Sequence, residues 1–275
     1  MLEKLKYINH LNEVIEFGKD GIFANANDLR NYEWTVKKKG KKIDGFDYDI
    51  RERTLPVIIQ CGTAEEAVAA KNRLFEVVEK DVIAQRCGRF VIGDYYLKCY
   101  VTQSQKTDYL KTARYMSISL TITTDYPFWF KETKHIFRKT SESGADSKNL
   151  DYPFDYAFDF KSETGSDSLN NRSLAASNFR MTIYGICTNP EIKIGGHLYR
   201  VNGNVEANEY LTIDSTTKEI YLTNNVGNRI NRFNDRYRRS YIFEKIPAGI
   251  VPVLWEGSFG VDIVVMDERS EPKWT

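Results

Sequence analysis

Strict alternation of apolar and polar residues is the feature that most constrains the fold of this chain. In the segment NEYLTIDSTTKEIYLT, residues 208–223, Leu211 and Ile213 alternate with polar or aromatic neighbours. Ile220 and Leu222 repeat the pattern after a short polar turn. Side chains with a period of two lie on one face of a strand, so the segment predicts a β-hairpin.

The same alternation of apolar and polar residues continues through the second half of the chain. Short strands are predicted in FRMTIYGI, PEIKIGG, HLYRVNG, SYIFEKI, GIVPVLWEG and VDIVVMDE. Many short strands with turns between them are typical of a β-sandwich or jelly roll. Ahead of them, residues 138–172 are rich in Ser, Gly, Asp and Asn, which predicts loops on a domain.

The first half combines strands with a single helix. Strands are predicted in KYINH, EVIEFG, YEWTVKKKG, TLPVIIQC, RFVIGDYYLKCYVTQSQ and RYMSISLTITTDYPFWF. Between them, helical spacing predicts one amphipathic helix over about 64–84, with Thr63 and Glu66 as its capping box. Its apolar face is predicted to contain Ala67, Ala70, Leu74, Val77, Val78 and Val82.

These patterns predict a mainly β, α+β protein with two domains. The first, residues 1–133, is β-rich with one helix; the second, residues 134–275, is a β-sandwich. A chain of 275 residues buries a core without disulfide or metal staples. Its four cysteines form no CxxC pair, so they are interpreted as buried free thiols.

Charge and hydropathy narrow the class of function. The net charge of +1 argues against nucleic-acid binding as the main task, because a phosphate backbone calls for a basic surface. The N-terminal MLEKLKYINHLNEV has no apolar core of a signal peptide, and no apolar run approaches 18 residues. We therefore expect synthesis and folding in a cytoplasm, without a membrane span.

No motif predicts a catalytic, cofactor or metal site. Phosphate-binding glycine loops and GxSxG are missing, and the three histidines are far apart in the sequence. Asp44, Asp47 and Asp49 raise a calcium hypothesis, but an exposed acidic strand face explains them equally well. A pair of carboxylates for glycoside hydrolysis stays open, with no acid singled out.

Basic and aromatic clusters are the candidates for contacts with other subunits or partners. The first cluster surrounds Gly40, and its alternative interpretation is a solvated hairpin tip. The second interleaves arginines with aromatic rings, and a solvated loop and a subunit contact explain it equally well. Two tryptophans near element ends are either core residues at a domain junction or assembly contacts. The candidates are Lys37, Lys38, Lys39, Lys41, Lys42, Arg232, Arg236, Tyr237, Arg238, Trp129 and Trp274, with Arg229 and Arg239 in the same arginine-rich run.

Several of these segments together carry a family resemblance. They are NPEIKIGGHLYRVNG, EYLTIDSTTKEIYL, IPAGIVPVLWEG and VDIVVMDERSEPKW in the second half, and FANANDLRNYEWTV followed by the single helix in the first. In this order and spacing the chain resembles the distal tail protein of long-tailed, siphovirus-type phages and prophages. The resemblance covers nearly the whole chain.

The resemblance implies a structural protein of the virion tail tip. In that family the N-terminal domain forms a hexameric ring that joins the tail tube to tail-tip and receptor-binding baseplate proteins, and DNA passes through the lumen. The C-terminal domain is a galectin-like β-sandwich that faces outward. For such a structural role we expect no enzymatic activity and no cofactor. From the charge and hydropathy given above, we also expect no sequence-specific nucleic-acid binding and no membrane contact.

Physical reasoning adds two expectations to this implied role. A ring closed by heterologous contacts needs two different complementary surfaces per subunit. Its lumen should avoid strong positive charge, so the hypothesis for the Lys-rich hairpin is that it reaches a neighbouring subunit or lies outside the channel. The alternative function is a carbohydrate-binding adhesin module that recognises host-surface glycans, and a glycosidase ranks last.

Overall fold

The computed structural model describes residues 4–24, 27–108, 114–139 and 165–274. The chain divides into two compact units, one formed by residues 1–131 and 268–275, the other by residues 132–267. The C-terminal eight residues, assigned to the second domain in the sequence analysis, thus group with the first unit. Of the loops predicted over 138–172, residues 140–164 lie outside the described residues.

The first unit is built from strands around one helix. Its elements are β1 (Leu5–Ile8), β2 (Val14–Glu16), β3 (Ile22–Ala24), β4 (Thr35–Lys39), β5 (Lys42–Asp47), β6 (Arg51–Gln60), α1 (Ala64–Ala84), β7 (Gly88–Ile92), β8 (Tyr95–Asp108), β9 (Tyr115–Thr124) and the start of β10 (Trp129–Phe137), with a 3-10 turn at Asn27–Arg30.

Long strand β8 takes part in two antiparallel arrays of the first unit. Its first half pairs with β7, and the array continues through β1 to β2. Its second half pairs with β9, followed by β6 and then β3. One face of this second array packs in the core, because Leu55, Val57 and Ile59 of β6 are fully buried. Strands β4 and β5 pair only with each other.

Helix α1 covers Ala64–Ala84, as the periodicity predicted. Thr63 Oγ1 accepts the Glu66 amide at 3.2 Å, and the Glu66 carboxylate accepts the Thr63 amide at 3.1 Å, so the predicted capping box is present. The prediction that Val82 lies on the core face is wrong, because Val82 is 42% exposed. Asp81 is buried in its place, since it lies seven residues after Leu74 and therefore on the same helix face.

The second unit is a sandwich of two antiparallel sheets. Its strands are β11 (Gly165–Asn171), β12 (Asn178–Tyr184), β13 (Cys187–Thr188), β14 (Glu191–Ile194), β15 (His197–Arg200), β16 (Asn204–Val205), β17 (Tyr210–Asp214), β18 (Glu219–Thr223), β19 (Arg229–Asn231), β20 (Gly249–Trp255) and β21 (Val261–Arg269), with a 3-10 turn at Phe233–Asp235.

The two sheets have the orders β19-β18-β17-β12-β21 and β11-β20-β14-β15. Inward side chains of both sheets, such as Phe179 and Ile194, belong to one buried cluster. The hairpin predicted over 208–223 is present, with Asp214 opposite Glu219. The Asp214 carboxylate accepts the backbone N–H groups of Thr216 and Thr217, which fixes the turn.

Two local predictions in this unit are wrong. Residues 165–171 form β11 rather than a loop, because they pair along their whole length with β20 and bury Leu169 completely. The segment SYIFEKI is not a strand. Ile242, Phe243 and Ile246 are buried around a turn from Tyr241 to Glu244, so their apolar character reflects core packing.

Two further expectations concern the burial of the cysteines and the presence of a membrane-spanning helix. All four cysteines are free thiols; Cys99 and Cys187 are buried, Cys61 is half-buried and Cys87 is exposed, so burial holds for only part of the set. Within the described ranges, no helix combines the length and the apolar character needed to cross a membrane.

Candidate interaction surfaces

A two-stranded arm, residues 35–47, carries mostly exposed side chains. It consists of β4 and β5, and every residue of β4 is exposed. Gly40, with a φ of +62°, occupies the tip between Lys39 and Lys42, as expected for a hairpin turn. The arm thus presents all five predicted lysines at or near its tip.

A bulge gives the arm one apolar and one ionic face. The register passes from Lys37 opposite Gly45 to Lys38 opposite Ile43, which leaves Asp44 as the extra residue. Because of this shift, one face carries Val36, Lys38, Ile43 and Phe46. The exposed fractions of its apolar members are 41% for Val36, 64% for Ile43 and 60% for Phe46.

The opposite face carries an ion pair. Lys37 Nζ lies 2.5 Å from Asp47 Oδ2, and this contact lowers the pKa of the Asp47 carboxyl. Thr35 donates to the Asp49 carboxylate at 3.2 Å. Across the described residues, no three His, Cys, Asp or Glu side chains are grouped so as to hold a metal ion.

Aromatic rings support the base of the arm. Trp34 meets Phe46 edge to face at 6.5 Å between centroids and packs on Phe128 at 5.3 Å. Tyr48 contacts the same Phe128 at 5.1 Å. A cleft of about 170 Å³ runs beside Tyr32 and these rings. The aromatic contacts orient the arm from one end only.

The C-terminal segment is fastened to the first unit by Arg30. This guanidinium is only 4% exposed, donates to the Pro272 carbonyl at 2.7 Å and lies 3.9 Å from the ring centre of Trp274. Trp274 itself remains 69% exposed on its other side, so it is available to a partner. Trp129, by contrast, is fully buried in the core. The interpretation as a core residue therefore applies to Trp129, and this side chain offers no surface to another subunit.

The arginine-rich segment of the second unit is held by local contacts. Arg232 lies 3.2 Å from the Asp235 carboxylate. Arg236 donates to the Phe233 carbonyl at 2.7 Å, and its guanidinium stacks 4.0 Å from the Phe233 ring centre. Tyr237 lies under Arg200 at 5.2 Å. Arg238, Arg239 and Arg229 are exposed, and the choice between a solvated loop and a contact stays open for this segment.

The outward face of β6, β9 and β8, here called the neutral face, is nearly free of charge. It is defined by the outward side chains of β6 and β9 and of residues 100–105 of β8, within the part that pairs with β9; Lys98 lies on the same side of β8 but outside this range. Glu52 is the one charged residue among its described side chains. The others are Thr54, Pro56, Ile58, Gln60, Tyr100, Thr102, Gln103, Gln105, Tyr115, Ser117, Ser119, Thr121 and Thr123. Such a face offers hydroxyl and amide groups but no cation that would hold a phosphate.

A buried polar network under α1 was not predicted from the sequence. Asp81 is fully buried and accepts hydrogen bonds from the Tyr7 hydroxyl and, at 2.8 Å, from the His10 amide. His10 Nδ1 lies 2.5 Å from the same carboxylate. Burial, together with the hydrogen bond to Asp81, raises the pKa of the Tyr7 hydroxyl. The sequence signal that could have revealed this network is Asp81 itself, an acidic residue at a helix position that faces the core.

Comparison with solved structures finds proteins that share the fold over nearly the whole chain. The Dit protein of phage SPP1, described as a paradigm of the hub adsorption apparatus of phages that infect Gram-positive bacteria, aligns with a TM-score of 0.59 at 10% identity. The alignment covers 98% of this chain and 100% of that chain. The chain shares the fold of this hub protein.

Two structures of the phage P2 baseplate in its activated conformation give the same result. The structure with calcium and the structure with strontium each match with a TM-score of 0.64 at 9% identity, over 99% of this chain and 100% of the other. No protein-family model matches the chain, and no curated protein matches it by sequence. The similarity to phage hub and baseplate proteins is therefore one of fold.

Proposed function

We propose that this chain is a structural hub protein of a phage tail tip. The observation that carries the proposal is the match of fold, which covers 98% and 99% of this chain and the whole of the phage hub and baseplate chains. The segments that resemble distal tail proteins in sequence point to the same role. The chain acts as scaffold and not as an enzyme.

The first unit, assigned from the sequence to residues 1–133, forms the ring in this proposal. Six copies close into a hexamer that connects the tail tube to tail-tip proteins. Closure requires a heterologous contact, in which each copy offers a projecting element to the next. The arm supports this role, because a two-stranded ribbon with an exposed apolar face is marginally stable in water.

The neutral face supports the passage of DNA through the ring. A wall with many lysines or arginines would release counterions from the phosphates and hold the duplex. The described part of this face carries hydroxyl and amide groups and the single charge of Glu52. In our proposal this face lines the channel, while the lysines of the arm lie away from it.

The second unit, assigned from the sequence to residues 134–275, is a galectin-like sandwich in this proposal and holds receptor-binding proteins. The arginine-rich segment of β19 and its following turn is the candidate contact of this unit. The exposed Trp274, which belongs to the first unit, is a further candidate contact. The protein belongs to the virion, at the tail tip, and its partners are further copies of itself, the tail tube protein and tail-tip proteins.

The direct test is the mass of the purified protein by light scattering over a range of concentrations, with negative-stain images of the same samples and of samples mixed with its tail tube protein. We expect six-fold rings with a central channel. A closed two-fold dimer, or a monomer that stays monomeric with the tube protein present, would contradict the proposal. Glycan binding by such a monomer would favour the adhesin alternative.

A further inference from the structure

We propose that the apolar face of the arm in one copy docks on the exposed side of helix α1 in the next copy. This inference rests on the proposed ring and adds to it the two surfaces that make the contact. The receiving surface, here called the helix stripe, consists of Glu65, Val68, Asn72, Glu76, Glu79 and Ile83.

The helix stripe combines apolar and acidic side chains on one side of α1. Its residues follow one another at intervals of three or four, so they lie along one side of the helix. Ile83 is 76% exposed and Val68 is 49% exposed, although the opposite side of the same helix packs in the core. Single exposed apolar side chains are common on protein surfaces, so the docking rests equally on the charge of the helix stripe.

Charge on the helix stripe is complementary to charge on the arm. The stripe contains three glutamates and no lysine or arginine. Two cations beside it have acidic partners elsewhere: Lys80 lies 2.7 Å from Glu13, and Arg73 lies 3.1 Å from Asp20. The arm carries five lysines near its tip, and Lys38 shares the face of Ile43 and Phe46.

The two surfaces also agree in size and in symmetry. The stripe extends about 27 Å along α1, at about 1.5 Å per residue. Strands of five or six residues give an arm of about 17–20 Å, so it fits within the stripe. Because arm and stripe are different surfaces of one chain and both are exposed within it, their contact is heterologous and repeats from copy to copy, as a ring requires.

A photo-crosslinking experiment on the full-length protein tests the contact. Benzoyl-phenylalanine replaces Phe46, which is 60% exposed, and a mixture of nitrogen-14 and nitrogen-15 labelled protein distinguishes crosslinks between copies from those within one copy. We expect crosslinked peptides that join the arm of one copy to residues 64–84 of another. Crosslinks between copies to any other segment, or none up to millimolar protein, would overturn the inference.

Charge reversal provides the second, independent readout. We expect Lys38→Glu and Glu76→Lys each to weaken self-association roughly threefold to tenfold, and the double variant to recover most of the loss. Glu206→Lys, at an exposed position of the second unit, is the matched control and should have no effect. Unchanged association in both single variants would refute the docking.

The outcomes separate this inference from the proposed function. Six-fold rings of the wild-type protein, together with crosslinks from position 46 that avoid α1, would remove the docking and leave the hub role intact. Crosslinks from arm to helix in open filaments would support the docking and contradict the closed ring.

Discussion

Removal of the Asp81 carboxylate is predicted to destabilise the first unit severely. Asp81→Ala takes away the acceptor of the Tyr7 hydroxyl and of the His10 amide, and also the partner of the His10 ring. Asp81 and Tyr7 are both 0% exposed, so water cannot replace the lost interactions without opening the core. Gly88 lies against both side chains, and an added Cβ there would overlap them, so the site has no spare room.

The magnitude follows from the groups left behind. Each buried donor without an acceptor costs about 1–3 kcal/mol. With the hydroxyl and the amide both affected, Asp81→Ala should lower the free energy of unfolding by about 3–5 kcal/mol, since two such donors together cost about 2–6 kcal/mol. Tyr7→Phe removes only one donor and should cost about 1–2 kcal/mol. In the double variant the two losses should be less than additive by about 1 kcal/mol or more, because they share one hydrogen bond.

Urea unfolding followed by tryptophan fluorescence measures these differences, since Trp34, Trp129 and Trp274 lie in the first unit. Asp94→Ala is the control: this carboxylate is 73% exposed and pairs with Lys131 at the surface, so the loss should stay below about 0.5 kcal/mol. A loss below about 1 kcal/mol for Asp81→Ala, or strictly additive losses in the double variant, would refute the reasoning.

Three further predictions concern other parts of the chain. Burial lowers the pKa of His135, so the unfolded second unit binds the proton more readily than the folded one. The stability that the neutral His135 provides should therefore be complete above about pH 6.5 and decline below it. His135→Phe should reduce that decline in pH-dependent thermal melts. Arg30→Ala should release the segment around Trp274, with faster amide exchange at 271–274 and about 1–3 kcal/mol of lost stability; unchanged exchange would contradict this. Thr63→Ala should cost about 1 kcal/mol in urea unfolding, because the α1 cap is lost, whereas Thr63→Ser should cost little.

The elements that could be predicted are those whose pattern depends on local sequence. Alternation located the 208–223 hairpin, and the capping box with its apolar periodicity located α1 to the residue. Strand β11 could not be found this way. Its polar sequence favours a loop, and only the full-length pairing with β20 makes it a strand.

The candidate surfaces also include features that the sequence indicated and features that only the fold reveals. The sequence indicated the lysine cluster around Gly40 as a candidate contact, because that signal depends on composition. It left both Trp129 and Trp274 open between core residue and assembly contact. The apolar face of the arm depends on the bulge at Asp44, which sets the faces of Ile43 and Phe46, and a one-residue shift in register reverses such a face. In the sequence Trp129 and Trp274 give the same signal, but in the structure Trp129 is fully buried and Trp274 is exposed.

By itself, the sequence determined the class of fold, the single helix, the hairpins and the family resemblance, because side-chain period and turn chemistry act over a few residues. Only the tertiary structure decided which residues meet across long separations in the chain. It brought Tyr7 and His10 to Asp81 and placed the C-terminal segment on Arg30. Such contacts arise from packing, which no local pattern records, and they determine which side chains remain exposed for other copies.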